Sequence, residues 1–313
     1  MKKKFIIGSR GSELALWQAN FIKSELEKNR IDILVEIEVI KTTGDKIADV
    51  AISKIGDKSL FTKELEHELL NNNIDIAVHS LKDLQTQLPK GLKLGAITKR
   101  HFVEDVLIAK EKDVTLKTIR KNAVVATGSL RRRSQLLNLR PDINVVELRG
   151  NVPTRIEKFS KSEWDAIILA RAGVERLGLE KNISSFIGKD EILPAVGQGA
   201  LGIEIRESDK DARKILEPIH DQETYYAVLA ERALLRTLEG GCQVPIGTYS
   251  EIKGNELFLK AYVGSVGGEI AFRDNISGDK KEAEKLGKEL ANKLLNAGAK
   301  EILEEIFKTI RLK

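Results

Sequence analysis

Phe5-Ile6-Ile7-Gly8-Ser9-Arg10-Gly11-Ser12 runs from an apolar segment through a Gly-Ser-Arg junction into a helical pattern. Val124-Val125-Ala126-Thr127-Gly128-Ser129-Leu130-Arg131 follows the same plan, again with Gly-Ser and an arginine at the junction. Ile74-Asp75-Ile76-Ala77-Val78-His79-Ser80 is likewise echoed by Trp164-Asp165-Ala166-Ile167-Ile168-Leu169-Ala170. Short apolar runs of this kind read as buried strands. Ala15, Ala19, Ile22 and Leu26 recur at helical spacing after Ser12. Val35, Ile37 and Val39 alternate as a strand does, and Thr62 is placed to cap a helix through Leu70. This βαβ rhythm predicts parallel-rich sheets with helices on both faces, and the repeat predicts two such doubly wound domains around a cleft. Ligands bind outside the carboxyl ends of such strands. Both copies place helix N-termini there, where free N–H groups and the helix dipole favour anions.

With 313 residues the chain is long enough for two or three domains. Hydrophobic residues at 42% and charged residues at 32% predict a soluble globular protein. Aromatics at 5% argue against a nucleobase-stacking platform. The 52 basic and 47 acidic residues leave a net charge of only +5, too balanced for a nucleic-acid binder, so no nucleic-acid partner is expected. The arginines cluster instead, at Arg131-Arg132-Arg133 and around Arg149 and Arg155, which suits a small polyanion. The start, Met1-Lys2-Lys3-Lys4-Phe5-Ile6-Ile7, is basic but too briefly apolar for a signal peptide. No apolar run nears the roughly 18 residues of a membrane span. A cytoplasmic location is expected.

Beyond residue 216 the pattern changes. Glu223–Leu238 is an amphipathic helix, strands follow at about Glu256–Val263 and Glu269–Asn275 after a Lys253-Gly254-Asn255 turn, and two helices close the chain. A compact α+β module is expected there. It carries the single cysteine, in Glu239-Gly240-Gly241-Cys242-Gln243-Val244-Pro245-Ile246-Gly247. A lone free cysteine is commonly a small buried hydrophobe. A soft thiol on a glycine-flanked loop is also where a covalent attachment forms, and local chemistry leaves both readings open.

Other segments carry chemistry by position. His79-Ser80-Leu81-Lys82-Asp83 directly follows a buried strand, where a carboxylate beside a cation can stabilise a cationic intermediate or move protons. Arg131-Arg132-Arg133 opens a helix whose dipole opposes cations, so an anionic ligand is the expected compensation. Arg149-Gly150-Asn151, with Arg155 beyond, again joins a strand to a helix. No Gly-x-x-x-x-Gly-Lys-Ser/Thr loop indicates a nucleoside triphosphate. The four histidines show no metal-ligand spacing, and no metal is expected. Thr42–Leu60, with Lys54 and Lys58 around Gly56, reads as a long lid-like loop. Leu193-Pro194-Ala195-Val196-Gly197-Gln198-Gly199-Ala200 reads as a hinge between domains.

Together these stretches resemble the porphobilinogen deaminase (hydroxymethylbilane synthase) family. The resemblance runs from Ile7 to the C-terminal helix. It rests on Gly8-Ser9-Arg10, Ala15-Leu16-Trp17-Gln18, Lys63-Glu64-Leu65-Glu66, His79-Ser80-Leu81-Lys82-Asp83, Gly128-Ser129-Leu130-Arg131-Arg132, Leu148-Arg149-Gly150-Asn151-Val152, Pro194-Ala195-Val196-Gly197-Gln198-Gly199 and the Cys242 loop. It implies two domains like periplasmic binding proteins, 1–98 with 197–216 and 99–196, and a third, 217–313, in a protein expected to be a monomer. It also implies a dipyrromethane cofactor on a thioether to Cys242, and the condensation of four porphobilinogen molecules to hydroxymethylbilane with release of ammonia. By the same resemblance Lys82, Thr127, Ser129, Arg131, Arg132, Arg149, Arg155 and the backbone of Gly150 contact the cofactor. Arg10, Ser12, Arg176, Lys54 and Lys58 contact substrate, and Asp83 is catalytic. The chain departs from the common pattern at Gln85 and Gly128, where proline and serine are frequent, and adds Arg133.

The rival reading is a non-catalytic cytoplasmic binding protein for a small dianion; it leaves Cys242 and the third domain without a task. Intact mass separates the two, because only a deaminase carries a dipyrrole adduct. Cys242→Ala is expected to fold, to lose the adduct and to lose activity, since alanine offers no atom for a thioether. An adduct mass on that variant would refute the anchor.

Overall fold

The computed structural model describes residues 3–43, 62–240 and 244–311. Lys54, Lys58, Cys242 and all of the expected loop Thr42–Leu60 beyond Thr43 lie outside the described residues. In chain order the first elements are β1 (Lys3–Ser9), α1 (Glu13–Asn29), β2 (Ile33–Val39), α2 (Lys63–Leu70), β3 (Ile76–Ser80) and β4 (Leu92–Ile97). Next come β5 (Asp105–Ala109), β6 (Val124–Ala126), α3 (Leu130–Leu139), β7 (Asn144–Val146), α4 (Val152–Ser160), β8 (Ala166–Ala170), α5 (Arg171–Arg176) and β9 (Ser185–Ile187). The chain then forms β10 (Leu201–Arg206), α6 (Lys210–Leu216) and α7 (Gln222–Thr237). It ends with β11 (Ile246–Lys253), β12 (Glu256–Gly264), β13 (Ala271–Asp279), α8 (Ala283–Leu294) and α9 (Lys300–Arg311).

Two compact units result. One takes the described residues of Met1–Ala48, Asp57–His101 and Gly197–Tyr225, the other those of Phe102–Val196 and Tyr226–Lys313. The first holds a five-stranded sheet of order β2-β1-β3-β10-β4, the second a five-stranded sheet of order β7-β6-β8-β5-β9. In each, three parallel strands are followed by one antiparallel strand, β10 on β3 and β5 on β8. The expected duplication is therefore present at the level of strand order. The echo is not in strict step, however. Ile7 pairs with Ile76 and Val125 with Ala166, while the helix caps fall at Ser12 and Ser129, so the second junction is one residue shorter.

Local chemistry explains these elements. Ser12 is extended and its hydroxyl accepts from the Ala15 N–H at 3.4 Å, which starts α1. Ala19, Ile22 and Leu26 are then fully buried in one core with Phe5, Ile7 and Val35. Each such large aliphatic contributes about 1.5–3 kcal/mol by leaving water. Thr62 departs from expectation. It stands at the N-cap of α2 with φ −119° and ψ −27°, a helical backbone, and its buried hydroxyl makes no capping bond.

The last part of the chain has its own core, built from α7, α8, α9 and the antiparallel meander β11-β12-β13. The Lys253–Glu256 pairing closes the expected turn, with Gly254 at φ +64°. Strand β11 is not apparent from sequence, because the polar Thr248 and Ser250 stand between Ile246 and Ile252 on its inward face. Their hydroxyls are satisfied internally: Thr248 donates to the Lys260 carbonyl at 2.8 Å and Ser250 to Glu231 at 2.7 Å. The closing helices break at Gly298, whose φ of +115° no helix accommodates.

Helix α8 meets α7 at Gly287, where a Cβ would lie 2.2 Å from the Ala230 carbonyl oxygen and 3.0 Å from the Leu234 nitrogen. Both are backbone atoms and cannot swing aside. Gly287→Ala should therefore lose about 1–3 kcal/mol through forced separation of the helices, more than the roughly 1 kcal/mol that alanine gains in helix propensity. Thermal unfolding checks this; an unchanged or raised melting temperature would contradict the close packing.

Candidate active site

In the first unit β1 and β3 run parallel, with Gly8 beside Ala77, so their carboxyl ends share one edge. Arg10 leaves β1 there, half-buried, and Lys82 and Asp83 leave β3 there in a short 3-10 turn, Leu81–Asp83. The turn is pinned from below. Leu81 is buried and its N–H donates to the Ala200 carbonyl at 3.1 Å, while Gln18 Nε2 donates to Ser80 Oγ at 2.7 Å. With Leu81 and Leu84 inside, Lys82 is half-buried and Asp83 is left at the surface. Among the described residues the Asp83 carboxylate makes no hydrogen bond or ion pair, so all its lone pairs are available. Ser12, expected to touch substrate, already serves as the α1 cap. Beneath the turn, His79 Nε2 lies 3.0 Å from Glu204 Oε2; both side chains are buried and Glu204 Oε1 has no partner. Glu204 had drawn no attention in the sequence, since nothing local pairs it with a histidine 125 positions away.

In the second unit β6, β7 and β8 are parallel and deliver Thr127, Arg149 and Arg171 to one edge. Thr127 Oγ1 accepts from the Ser129 N–H at 3.3 Å, and Ser129 Oγ accepts from the Arg132 N–H at 3.4 Å, capping α3. At Gly128 a Cβ would come within 2.5 Å of the Leu148 carbonyl, so close approach of the two loops accounts for glycine there. Gly150 has φ +116°, and a Cβ would sit 2.8 Å from Thr154 Cγ2. Its carbonyl accepts from Arg155 Nε at 2.7 Å, and Asn151 caps α4 by accepting from the Thr154 N–H at 2.9 Å.

The arginines fall into two groups. Arg131 and Arg132 are buried and share Asp105. Asp105 Oδ2 accepts from Arg131 Nη2 at 2.9 Å and from Arg132 Nε at 3.1 Å, and Oδ1 accepts from Arg132 Nη2 at 2.8 Å. Their remaining recorded bonds go to carbonyls, Arg131 Nη1 to Leu193 and Arg132 Nη1 to Ile168. Both are thus more deeply engaged with protein than the sequence suggested, Arg132 above all. Asp105 was missed; the available signal was an acid at the head of the apolar run Val106-Leu107-Ile108. Arg149 and Arg176 form the other group. Arg149 Nη2 meets the largely exposed Glu147 at 2.5 Å, and its buried Nε has no hydrogen-bond partner. Arg176 ends α5, and burial pulls its pKa down to about 10. Arg133, the added charge, donates from Nη1 to the Val145 carbonyl at 3.2 Å.

The α/β fold thus presents the Asp83 carboxylate at the sheet edge of one unit, and at that of the other a bank of partly dehydrated arginines of the kind that suits a polycarboxylate ligand. A family model described as "Porphobilinogen deaminase, dipyromethane cofactor binding domain" matches residues 5–214, and "Porphobilinogen deaminase, C-terminal domain" matches 225–296. The chain is 52% identical over 310 residues to a porphobilinogen deaminase of Chloroherpeton thalassium, covering 98% of each chain. It is 51% identical to those of Carboxydothermus hydrogenoformans (98% of each) and Prochlorococcus marinus (99% of each). Among solved structures it is similar to a probable amino-acid ABC transporter extracellular-binding protein of Bacillus subtilis. That likeness has 13% identity and a TM-score of 0.43, over 70% of this chain and 92% of that one.

The chain belongs to the porphobilinogen deaminase family. It is a transferase of tetrapyrrole biosynthesis that joins four porphobilinogen molecules head to tail into hydroxymethylbilane, releasing ammonia, and it uses a dipyrromethane cofactor. The residues present fit that group. The orphaned Arg149 Nε and the two guanidiniums sharing one aspartate leave positive charge for the acetates and propionates that every pyrrole carries. Among the described residues no helix is long and apolar enough to cross a membrane.

Proposed function

We propose that Asp83 is the catalytic carboxylate and Cys242 the cofactor anchor. The observation that carries the first assignment is the contrast between Asp83 and Asp105. Asp83 stands at the carboxyl edge of β3 without a partner among the described residues, whereas Asp105 is buried and engaged by two arginines. Loss of ammonia from porphobilinogen leaves an azafulvenium-like cation. Asp83 accepts hydrogen bonds from the pyrrole N–H of that cation, opposes its charge, and passes protons between successive rings. The cofactor, when bound, supplies the free α-carbon that attacks; Cys242, the only cysteine of the chain, holds it and takes no part in the attack.

Lys82, Thr127, Ser129, Arg131, Arg132, Arg149, Arg155 and the Gly150 backbone are assigned to the cofactor. Arg10, Ser12, Arg176, Lys54 and Lys58 are assigned to substrate. Thr127 and Ser129 act chiefly through the loop they shape, because their hydroxyl oxygens already accept backbone N–H groups. Three domains, 1–98 with 197–216, 99–196 and 217–313, a monomeric state, a cytoplasmic location and no nucleic-acid partner complete the reading.

Asp83→Asn keeps the size of the side chain and removes the charge that opposes the cation. The expected loss is about 3 kcal/mol, or roughly 10²-fold in turnover. Steady-state rates on protein that carries the adduct test it, and near-normal turnover would remove Asp83 from the mechanism.

Arg149 and Arg155 should separate. Arg149 has a buried N–H left to satisfy, so Arg149→Leu is expected to purify largely without adduct. Arg155 already donates to Gly150, so Arg155→Leu should load and then stall during elongation. A ligand carboxylate left unpaired at a partly dehydrated edge costs a few kcal/mol, too much for substrate concentration to offset. Intact masses of both variants decide. Full adduct on each, with only a modest rise in KM, would make these arginines peripheral.

A further inference from the structure

The two α/β units offer an internal comparison at the point where the paired arginines sit. Pairing of β3 with β10 sets Leu201 opposite Ser80, and pairing of β8 with β5 sets Asp105 opposite Ala170. Ile7 beside Ile76 and Val125 beside Ala166 put the two sheets in one frame, so Leu201 and Asp105 hold the same position. Both are 0% exposed. Ser12 and Ser129 cap the helices that follow the equivalent strands β1 and β6. Two and three residues beyond each cap, the first unit has Leu14 and Ala15 and the second has Arg131 and Arg132. The same three positions are thus leucine, alanine and leucine in one copy of the fold, and arginine, arginine and aspartate in the other.

Stability does not ask for the ionic version. Three buried charges must be stripped of water, and apolar residues of similar volume at such sites are often as stable or more so. Burial pushes the Arg131 pKa down; Asp105 opposes that shift and the adjacent Arg132 charge adds to it. The α3 dipole disfavours both cations as well. What the triad has that the apolar set lacks is geometry and one uncompensated positive charge.

We propose that Asp105 is a positioning residue for anion capture, holding the Arg131 and Arg132 guanidiniums side by side so that the triad, one charge in excess, receives a single carboxylate of the cofactor. Asp105 holds Arg132 with both its oxygens and Arg131 with Oδ2, at 2.8 to 3.1 Å, which fixes their relative orientation. Without it the like charges repel and the planar donors lose their common aim. This rests on the reading of Arg131 and Arg132 as cofactor contacts.

The experiment uses the full chain, cofactor-free protein loaded with porphobilinogen, and two readouts: the rate of adduct formation by intact mass and the melting temperature. Asp105→Asn should load at least tenfold more slowly per folded molecule at a temperature well below its melting point. A residue that only stabilised the fold would leave that rate unchanged, and such a result overturns the proposal. Arg131→Leu in parallel separates the two levels. If it loads normally, the contact reading falls and the proposal with it; if it is impaired while Asp105→Asn loads normally, only the role of Asp105 falls. The triple variant Asp105→Leu, Arg131→Leu, Arg132→Ala, which copies the first unit, is expected to melt at or above the parent temperature and to take up no adduct. A triple variant that melts far below the parent would show that the charges serve stability, and would overturn the argument.

Discussion

Parallel pairing of three strands in each sheet is the constraint on which the remaining structure depends. Strands joined by right-handed helical crossovers all finish at one edge, so whatever follows them in sequence is gathered there without further instruction. Gly8 beside Ala77 and Ala126 beside Ile167 set that alignment. The fourth strand of each sheet is antiparallel and arrives by a longer route. β4 is followed by β5 in the second unit, and β9 by β10 in the first. The second sheet is completed by the consecutive strands β5 to β9, whereas the first needs β10 from beyond them; each antiparallel strand begins at the very edge where the others end. That is why the heads of β5 and β10, Asp105 and Leu201, meet the loops that follow the parallel strands.

Electrostatics distinguishes the candidate residues within each unit by how far folding has desolvated them. Asp105 is buried, and its charge is tolerable only because two guanidiniums surround it. Asp83 lies in water at the tip of a turn whose neighbours, Leu81 and Leu84, point inward. Folding leaves its hydration intact, so the role proposed for it requires that desolvation come only with a cationic partner. Arg176, held near 10 by burial, and Arg149, with an orphaned Nε, are cations whose hydration has already been partly removed. For the Arg149 Nε, which folding leaves without a hydrogen bond, a carboxylate is the matching acceptor.

The helix that bears Arg131 and Arg132 is clamped along its length. Ser134 and the fully buried Tyr262 share a hydrogen bond of 2.7 Å, and burial raises the tyrosine pKa. Gln135 both donates to and accepts from the Leu193 backbone, at 3.0 and 2.8 Å. Asn138 Nδ2 donates to the Gly268 carbonyl at 2.9 Å, where φ is +80° and a Cβ would strike the Asn138 nitrogen at 2.5 Å. Side chains on a helix keep their geometry when the residues behind them are locked in this way. The C-terminal meander therefore contributes to the arginine bank through packing.

Much was legible in the order of residues alone. The apolar runs, the capping serines and the Gly-Ser-Arg junctions depend on neighbours within a few positions, so Phe5–Leu26 and the duplication could be read directly. The catalytic candidate Asp83 was legible because it trails a strand, and strand ends of α/β sheets face ligands. Three matters belonged to tertiary structure. Strand β11 hides because its inward Thr248 and Ser250 are polar, and only their distant partners, Lys260 and Glu231, make them acceptable inside. The failure of Thr62 as a cap is a matter of backbone angles that residue type does not dictate. Asp105 looks like an isolated acid in a hydrophobic run until β5 is laid against β8 and its head reaches α3, some 26 residues further along the chain. Sequence determines what each short segment prefers; which buried charges find one another is decided only when segments far apart are brought within hydrogen-bonding distance, where the cost of desolvation makes one arrangement tolerable and the others not.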